Sequence, residues 1–207
     1  MIHLLALALL ASPLQSAEGA PAAAAKPGAL ELGSVVPETL ELVDFDGKKT
    51  TFKEWRGKAV ILHFWSTRCP AEVHADPVFQ KLEKHYADSK DVVMVGIASN
   101  QNELGPKPPA GSDLSKQYGE FREKIKDLGY KHPIFPDHGN ALSDVFQAKT
   151  TPHCFVLDRK GTIVYSGALD DDPRGAKGEA ATIYVKDAAA AVVAGKEVPV
   201  RETKSYG

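Results

Sequence analysis

Residues Lys58–Pro77 read KAVILHFWSTRCPAEVHADP and set a cysteine directly after a buried-strand pattern and directly before a helix. Ala59–Trp65 is a short, nearly continuous apolar run with β-branched members, the pattern of a strand buried on both faces. Ser66, Thr67 and Arg68 form the connector. Pro70 follows Cys69 where helices favour proline, because an N–H there has no helical partner to lose. Cys69 therefore stands at a helix N-terminus. Unpaired amides and the positive end of the helix dipole favour a thiolate there, and Arg68 adds a positive charge beside it.

Outward from this stretch, Val78, Phe79, Leu82 and Tyr86 recur at helical spacing and Val92–Ala98 is a second buried strand. That is a βαβ unit. A right-handed crossover makes its strands parallel and puts Cys69 at the carboxyl end of its strand, where open α/β sheets carry their sites. Thr39–Val43 and Thr50–Phe52 flank the Asp46-Gly47 turn signal and predict an amino-terminal hairpin. Asn100–Ser112, with three prolines and two glycines, reads as a loop. Leu114, Tyr118, Phe121, Ile125 and Leu128 mark one amphipathic helix that stops at Gly129. His132–His138 allows a brief extended piece and Ala141–Phe146 a short helix. Phe155–Asp158 and Thr162–Tyr165 read as a hairpin, and a last helix runs from about Ala180 to Ala194.

Phe64-Trp65-Ser66-Thr67-Arg68-Cys69-Pro70-Ala71-Glu72 resembles the active-site segment of thioredoxin-fold proteins, in which Phe-Trp leads into Cys-x-x-Cys. In that register Cys69 matches the attacking cysteine, Glu72 replaces its partner, and His63 holds the place of a buried acid. The stretch is also similar to the Thr-x-x-Cys-Pro-x-Glu pattern of peroxiredoxins, met by Ser66, Cys69, Pro70 and Glu72. Downstream, Thr151-Pro152-His153-Cys154-Phe155-Val156-Leu157-Asp158 resembles the cis-proline strand of the same fold. Tyr165–Asp171 and Gly195–Val200 resemble the tail of the peroxiredoxin-like (AhpC/TSA-type) branch of the redoxins. That branch commonly continues past its closing glycine into a further cysteine, and the sequence here reads to Gly207.

The resemblance implies an α/β, thioredoxin-like fold: a central mixed β-sheet flanked by helices, with the hairpin as an N-terminal extension. It implies a thiol oxidoreductase in which Cys69 attacks a peroxide oxygen or a disulfide sulfur. Ser66 and the helix N-terminal amides steady the thiolate, and Thr151 and Pro152 shape the substrate groove. Glu72 is a candidate proton relay, against its reading as a capping-region carboxylate that suits the helix dipole. His63 is a candidate for proton transfer, against its reading as a hydrogen-bonded core residue. Cys154 is a candidate resolving thiol, against its reading as a small buried hydrophobe. The arginine that stabilises the peroxiredoxin thiolate is absent, with Pro152 in its place. The competing reading is a non-catalytic module holding an extended peptide in the Thr151-Pro152 groove.

A chain of 207 residues with 43% hydrophobic content buries one sizeable core, and 25% charged residues argue against disorder. A net charge of −2 with scattered Lys and Arg leaves no basic stripe for nucleic acid. Ile2–Leu14 is apolar but too short to span a bilayer. It reads as part of a signal peptide over residues 1–17, or as the product of a misassigned start codon. Residues 18–31 read as a flexible Ala/Pro/Gly leader and 32–207 as the redoxin domain, in the periplasm or secreted. The expected partners are a peroxide or a protein or small-molecule disulfide, and an external thiol reductant. The scattered histidines and the Asp170-Asp171-Asp172 run lack metal-ligand spacing, so neither metal nor cofactor is expected.

Overall fold

The computed structural model describes residues 28–207, so the signal-peptide reading and most of the leader lie outside the described residues. A five-stranded sheet forms the centre, built from β3 (Ala59–Trp65), β4 (Val92–Ala98), β5 (Ile134–Pro136), β6 (His153–Leu157) and β7 (Ile163–Gly167). Its order is β5-β4-β3-β6-β7. β3 pairs in parallel with β4 and β4 with β5, whereas β6 is antiparallel to both β3 and β7. The mixed sheet follows from the connections. A helical crossover of α1 (Glu72–Tyr86) returns the chain parallel, and the tight 158–162 turn returns it antiparallel. The hairpin forms a separate two-stranded sheet of β1 (Glu41–Val43) and β2 (Lys49–Thr51).

All seven residues of β3 are buried, which explains its apolar run. On one face Ala59, Ile61 and Trp65 meet Phe79 and Leu82 of α1, Phe121 of α3 (Gly119–Leu128) and Val185, Ala188 and Ala189 of α5 (Tyr184–Val193). On the other, Val60, Leu62 and Phe64 meet Phe52, Trp55 and the Val145–Phe146 end of α4 (Ala141–Phe146). Leu30 is already tied to this second face, its N–H donating to the Val145 carbonyl at 2.7 Å.

Three expectations shift. The Asn100–Ser112 loop holds a short helix, α2 (Gln101–Leu104), because the Asn100 side chain accepts the Asn102 N–H at its start. The helix expected from Leu114 begins only at Gly119. Tyr118 takes φ +59°, with its ring 4.9 Å from Phe45 and its hydroxyl 2.8 Å from His138 Nε2. The last helix starts at Tyr184, after a separate 3-10 turn at Gly178–Ala180.

Candidate functional site

Cys69 is half-buried at the mouth of β3, and the first turn after it is 3-10 in character. Glu72 and Val73 donate their N–H groups to the Cys69 and Pro70 carbonyls. The α-helix proper begins at Glu72. The thiol reaches across to β6 and lies 2.8 Å from the carbonyl oxygen of Thr151, donating to it. The Thr151–Pro152 peptide bond is cis, as the strand motif implies. Residues 82 apart in sequence thus meet at one end of the two inner strands β3 and β6.

The connector is held by a carboxylate that the sequence reading missed. Ser66 donates its hydroxyl to Glu103 Oε1 at 2.5 Å, and Glu103 Oε2 accepts the Thr67 N–H at 2.7 Å and the Thr67 hydroxyl at 2.8 Å. Ser66 Oγ in turn accepts the N–H groups of Cys69 (2.9 Å) and Arg68 (3.2 Å). Ser66, expected with the helix N-terminal amides to steady the thiolate, has its hydroxyl proton directed at Glu103 and its oxygen on the Cys69 backbone. Arg68 is likewise engaged elsewhere, its guanidinium forked onto Glu120 with Nε–Oε1 at 2.7 Å. Glu103→Gln keeps an acceptor but loses the charge. Charged hydrogen bonds are individually worth about 1.5–3 kcal/mol, so Glu103→Gln should lower stability by roughly that much and Glu103→Ala by more. Urea unfolding checks the order.

Beneath the cysteine lies a buried acid–base pair. His63 Nε2 is 3.1 Å from both Glu72 carboxyl oxygens, and both side chains are 2% exposed. The imidazole stacks on Phe79 with ring centroids 3.8 Å apart. His63 Nδ1 has no hydrogen-bond partner among the described residues. Burial holds the His63 imidazolium down to about 3, with the Asp76 charge opposing. Burial, then the Asp76 charge, holds Glu72 well above the usual carboxylate range.

Between them the two groups keep one proton. Unfolded, they would hold two protons below the ordinary carboxylate value of 4.5, one up to the histidine value of 6.5, and none above it. The pair's contribution to stability therefore falls as pH drops below 4.5, is level to 6.5, and falls again as pH rises further. Glu72→Gln removes the alkaline decline. Subtracting the variant's urea-midpoint profile from the wild-type profile isolates the Glu72 proton and should leave a difference that grows more unfavourable to wild type above pH 4.5.

Cys154 pairs in register with His63 across β6 and β3. It is fully buried, and burial with the Glu72 and Asp170 charges pushes its thiol up. The two cysteines are both free thiols. Asp76, also buried, accepts the Trp65 indole N–H at 3.1 Å and the Tyr130 hydroxyl at 2.8 Å. Glu72, Ala75, Asp76, Phe79 and Leu82 share one buried stripe of α1. Two carboxylates in a core-facing period were a legible signal for a polar site there. Among the described residues, no group of three or more His, Cys, Asp or Glu side chains is arranged to hold a metal ion.

The redoxin family profile matches residues 19–184, most of the sequence. The chain belongs to the redoxin family. Among curated relatives, thiol-disulfide oxidoreductase YkuV of Bacillus subtilis is 27% identical over 135 residues, which covers 65% of this chain and 83% of that protein. Thiol-disulfide oxidoreductase ResA of Bacillus cereus is also 27% identical over 135 residues, covering 65% and 68%. Among solved structures, an uncharacterized conserved protein from Geobacillus kaustophilus superposes with a TM-score of 0.68 at 26% identity, covering 84% of this chain and 87% of that one. This redoxin has the thioredoxin-like fold, with the hairpin sheet added at the amino-terminal side. Three residues after Cys69 it carries not a second thiol but the inward-turned Glu72.

Proposed function

We propose that this redoxin catalyses thiol–disulfide exchange with Cys69 as its only working thiol. The observation that supports this most is the approach of the Cys69 Sγ to the Thr151 carbonyl beside a cis proline. That arrangement offers a substrate backbone and a nucleophile together. The two relatives named as thiol-disulfide oxidoreductases support the same class.

In the proposed step the Cys69 thiolate attacks a substrate disulfide. One S–S bond forms to Cys69 and the substrate S–S bond breaks, so the second substrate sulfur leaves as a thiolate and takes up a proton. An external thiol then attacks the mixed disulfide, takes the substrate sulfur into a new disulfide, and returns Cys69 reduced. Glu72, with its partner His63, is the proposed proton source for the leaving sulfur. Ser66 and Glu103 position the loop, and Thr151 and Pro152 flank the substrate. The complete burial of Cys154 argues for the external thiol over Cys154 as resolving group.

Peroxide is the weaker substrate in this reading, because Arg68 is held by Glu120 and Pro152 stands where peroxiredoxins carry an arginine. Work outside the cytoplasm is proposed from the Ile2–Leu14 run. Among the described residues no helix is long and apolar enough to cross a membrane.

The test supplies a small dithiol as reductant and follows a disulfide or hydrogen peroxide in parallel. Disulfide turnover well above background is expected. Peroxide consumption with only background disulfide reduction would instead support the peroxidase reading, and inertness to both the peptide-binding module.

A further inference from the structure

The last residues run back along the open edge of β7. Ser166 donates its N–H to the Arg201 carbonyl at 3.0 Å, and its own carbonyl accepts the Thr203 N–H at 3.1 Å. The Thr203 hydroxyl then accepts the Ala168 N–H at 2.9 Å and lies 2.7 Å from the Tyr165 hydroxyl. A side chain at Gly167 would overlap Thr203, so glycine is what lets the segment lie this close. Three residues on, Tyr206 donates its hydroxyl to Asp170 Oδ1 at 2.9 Å. Asp170 is buried and also lies 3.2 Å from His74 Nε2.

Past this second anchor comes Gly207, packed so tightly on Thr151 that an added Cβ would overlap the Thr151 carbonyl oxygen. That oxygen is the one that receives the Cys69 thiol. The segment therefore covers, from within the same chain, the backbone group on which an extended substrate would rest. Glu202 and Lys204 remain exposed and only Thr203, Ser205 and Tyr206 are half-buried. A strap fixed by a few polar bonds and little apolar burial belongs to the low-stability end of a fold.

We propose that residues 203–207 are a tethered occupant of the peptide groove beside Cys69. An extended polypeptide carrying a disulfide must displace them, whereas a small disulfide reaches the sulfur without doing so. The proposal rests on Cys69 being the disulfide-reactive thiol and adds the device that screens its polypeptide substrates.

The experiment uses the full chain with Cys154→Ala, so that one thiol reacts. Two mixed disulfides with the same leaving group are compared, one small and one built into an extended decapeptide. Tyr206→Phe removes one anchor and Thr203→Ala with Tyr206→Phe removes both. Releasing one anchor is expected to raise the decapeptide rate about fivefold, the equilibrium worth of one ordinary hydrogen bond, and the small-disulfide rate less than twofold. A free peptide of sequence RETKSYG should slow the decapeptide reaction of the double variant back toward wild type. Should the double variant fail to fold by circular dichroism, hydrogen exchange at the wild-type Thr203 amide replaces it. That exchange should speed up when decapeptide is bound. Equal decapeptide rates in wild type and Tyr206→Phe, or unchanged Thr203 exchange, would overturn the strap while leaving the thiol chemistry intact. No reaction of Cys69 with the small disulfide would overturn both.

Discussion

Cys69→Ser is expected to abolish disulfide exchange, with a loss on the order of a thousandfold or more, because a serine hydroxyl is scarcely ionised and the thiolate is the reacting species. Its effect on stability should be small, less than about 1 kcal/mol. The site is half-buried, and a hydroxyl can donate to the Thr151 carbonyl as the thiol does. Stopped-flow rates with a chromogenic disulfide and urea midpoints separate the two effects. Cys154→Ala gives the contrast: exchange should persist, because that sulfur has no exposed surface. If instead exchange survived Cys69→Ser and vanished in Cys154→Ala, the roles assigned to the two thiols would have to be exchanged.

The largest loss of stability is expected at Trp65. The indole is fully buried between Phe121 and Tyr130, and its N–H is bonded to buried Asp76. Truncating a core aromatic to alanine costs about 3–5 kcal/mol, and Trp65→Ala adds the withdrawal of a donor from a buried carboxylate. Trp65→Phe should cost less, since it keeps most of the ring and leaves Asp76 with the Tyr130 hydroxyl at 2.8 Å and Lys124 at 3.5 Å. Because Trp65 directly precedes the Ser66–Arg68 connector, the alanine variant should also loosen the Glu103 brace and slow Cys69 alkylation. Equal urea midpoints for Trp65→Ala and wild type would contradict this packing account.

The centre of this fold was legible because local pattern and global burial agree there. β3 and β4 are buried on both faces and read as apolar runs, while α1 shows its buried stripe as a helical period. The cis bond before Pro152 came through the likeness of its strand to a known motif rather than through local propensity. Where distant side chains decide, the sequence was silent. Tyr118 looked like a helical residue in period with Phe121, and the contact with Phe45 and His138 drew it out of the helix. The direction of the Ser66 hydroxyl depends on Glu103, 37 residues away. His63 and Glu72 were each singled out, but their meeting at 3.1 Å requires β3 and α1 to be packed. The strap had no signal of its own, since Thr203 and Tyr206 are polar residues in an irregular segment.

The most direct measurement is intact-mass spectrometry of the reduced protein after brief mixing with a small disulfide, followed by peptide mapping and then addition of a thiol. The account predicts one adduct, mapped to Cys69, that the added thiol discharges completely. An unmodified protein, or an adduct mapped to Cys154, would contradict it.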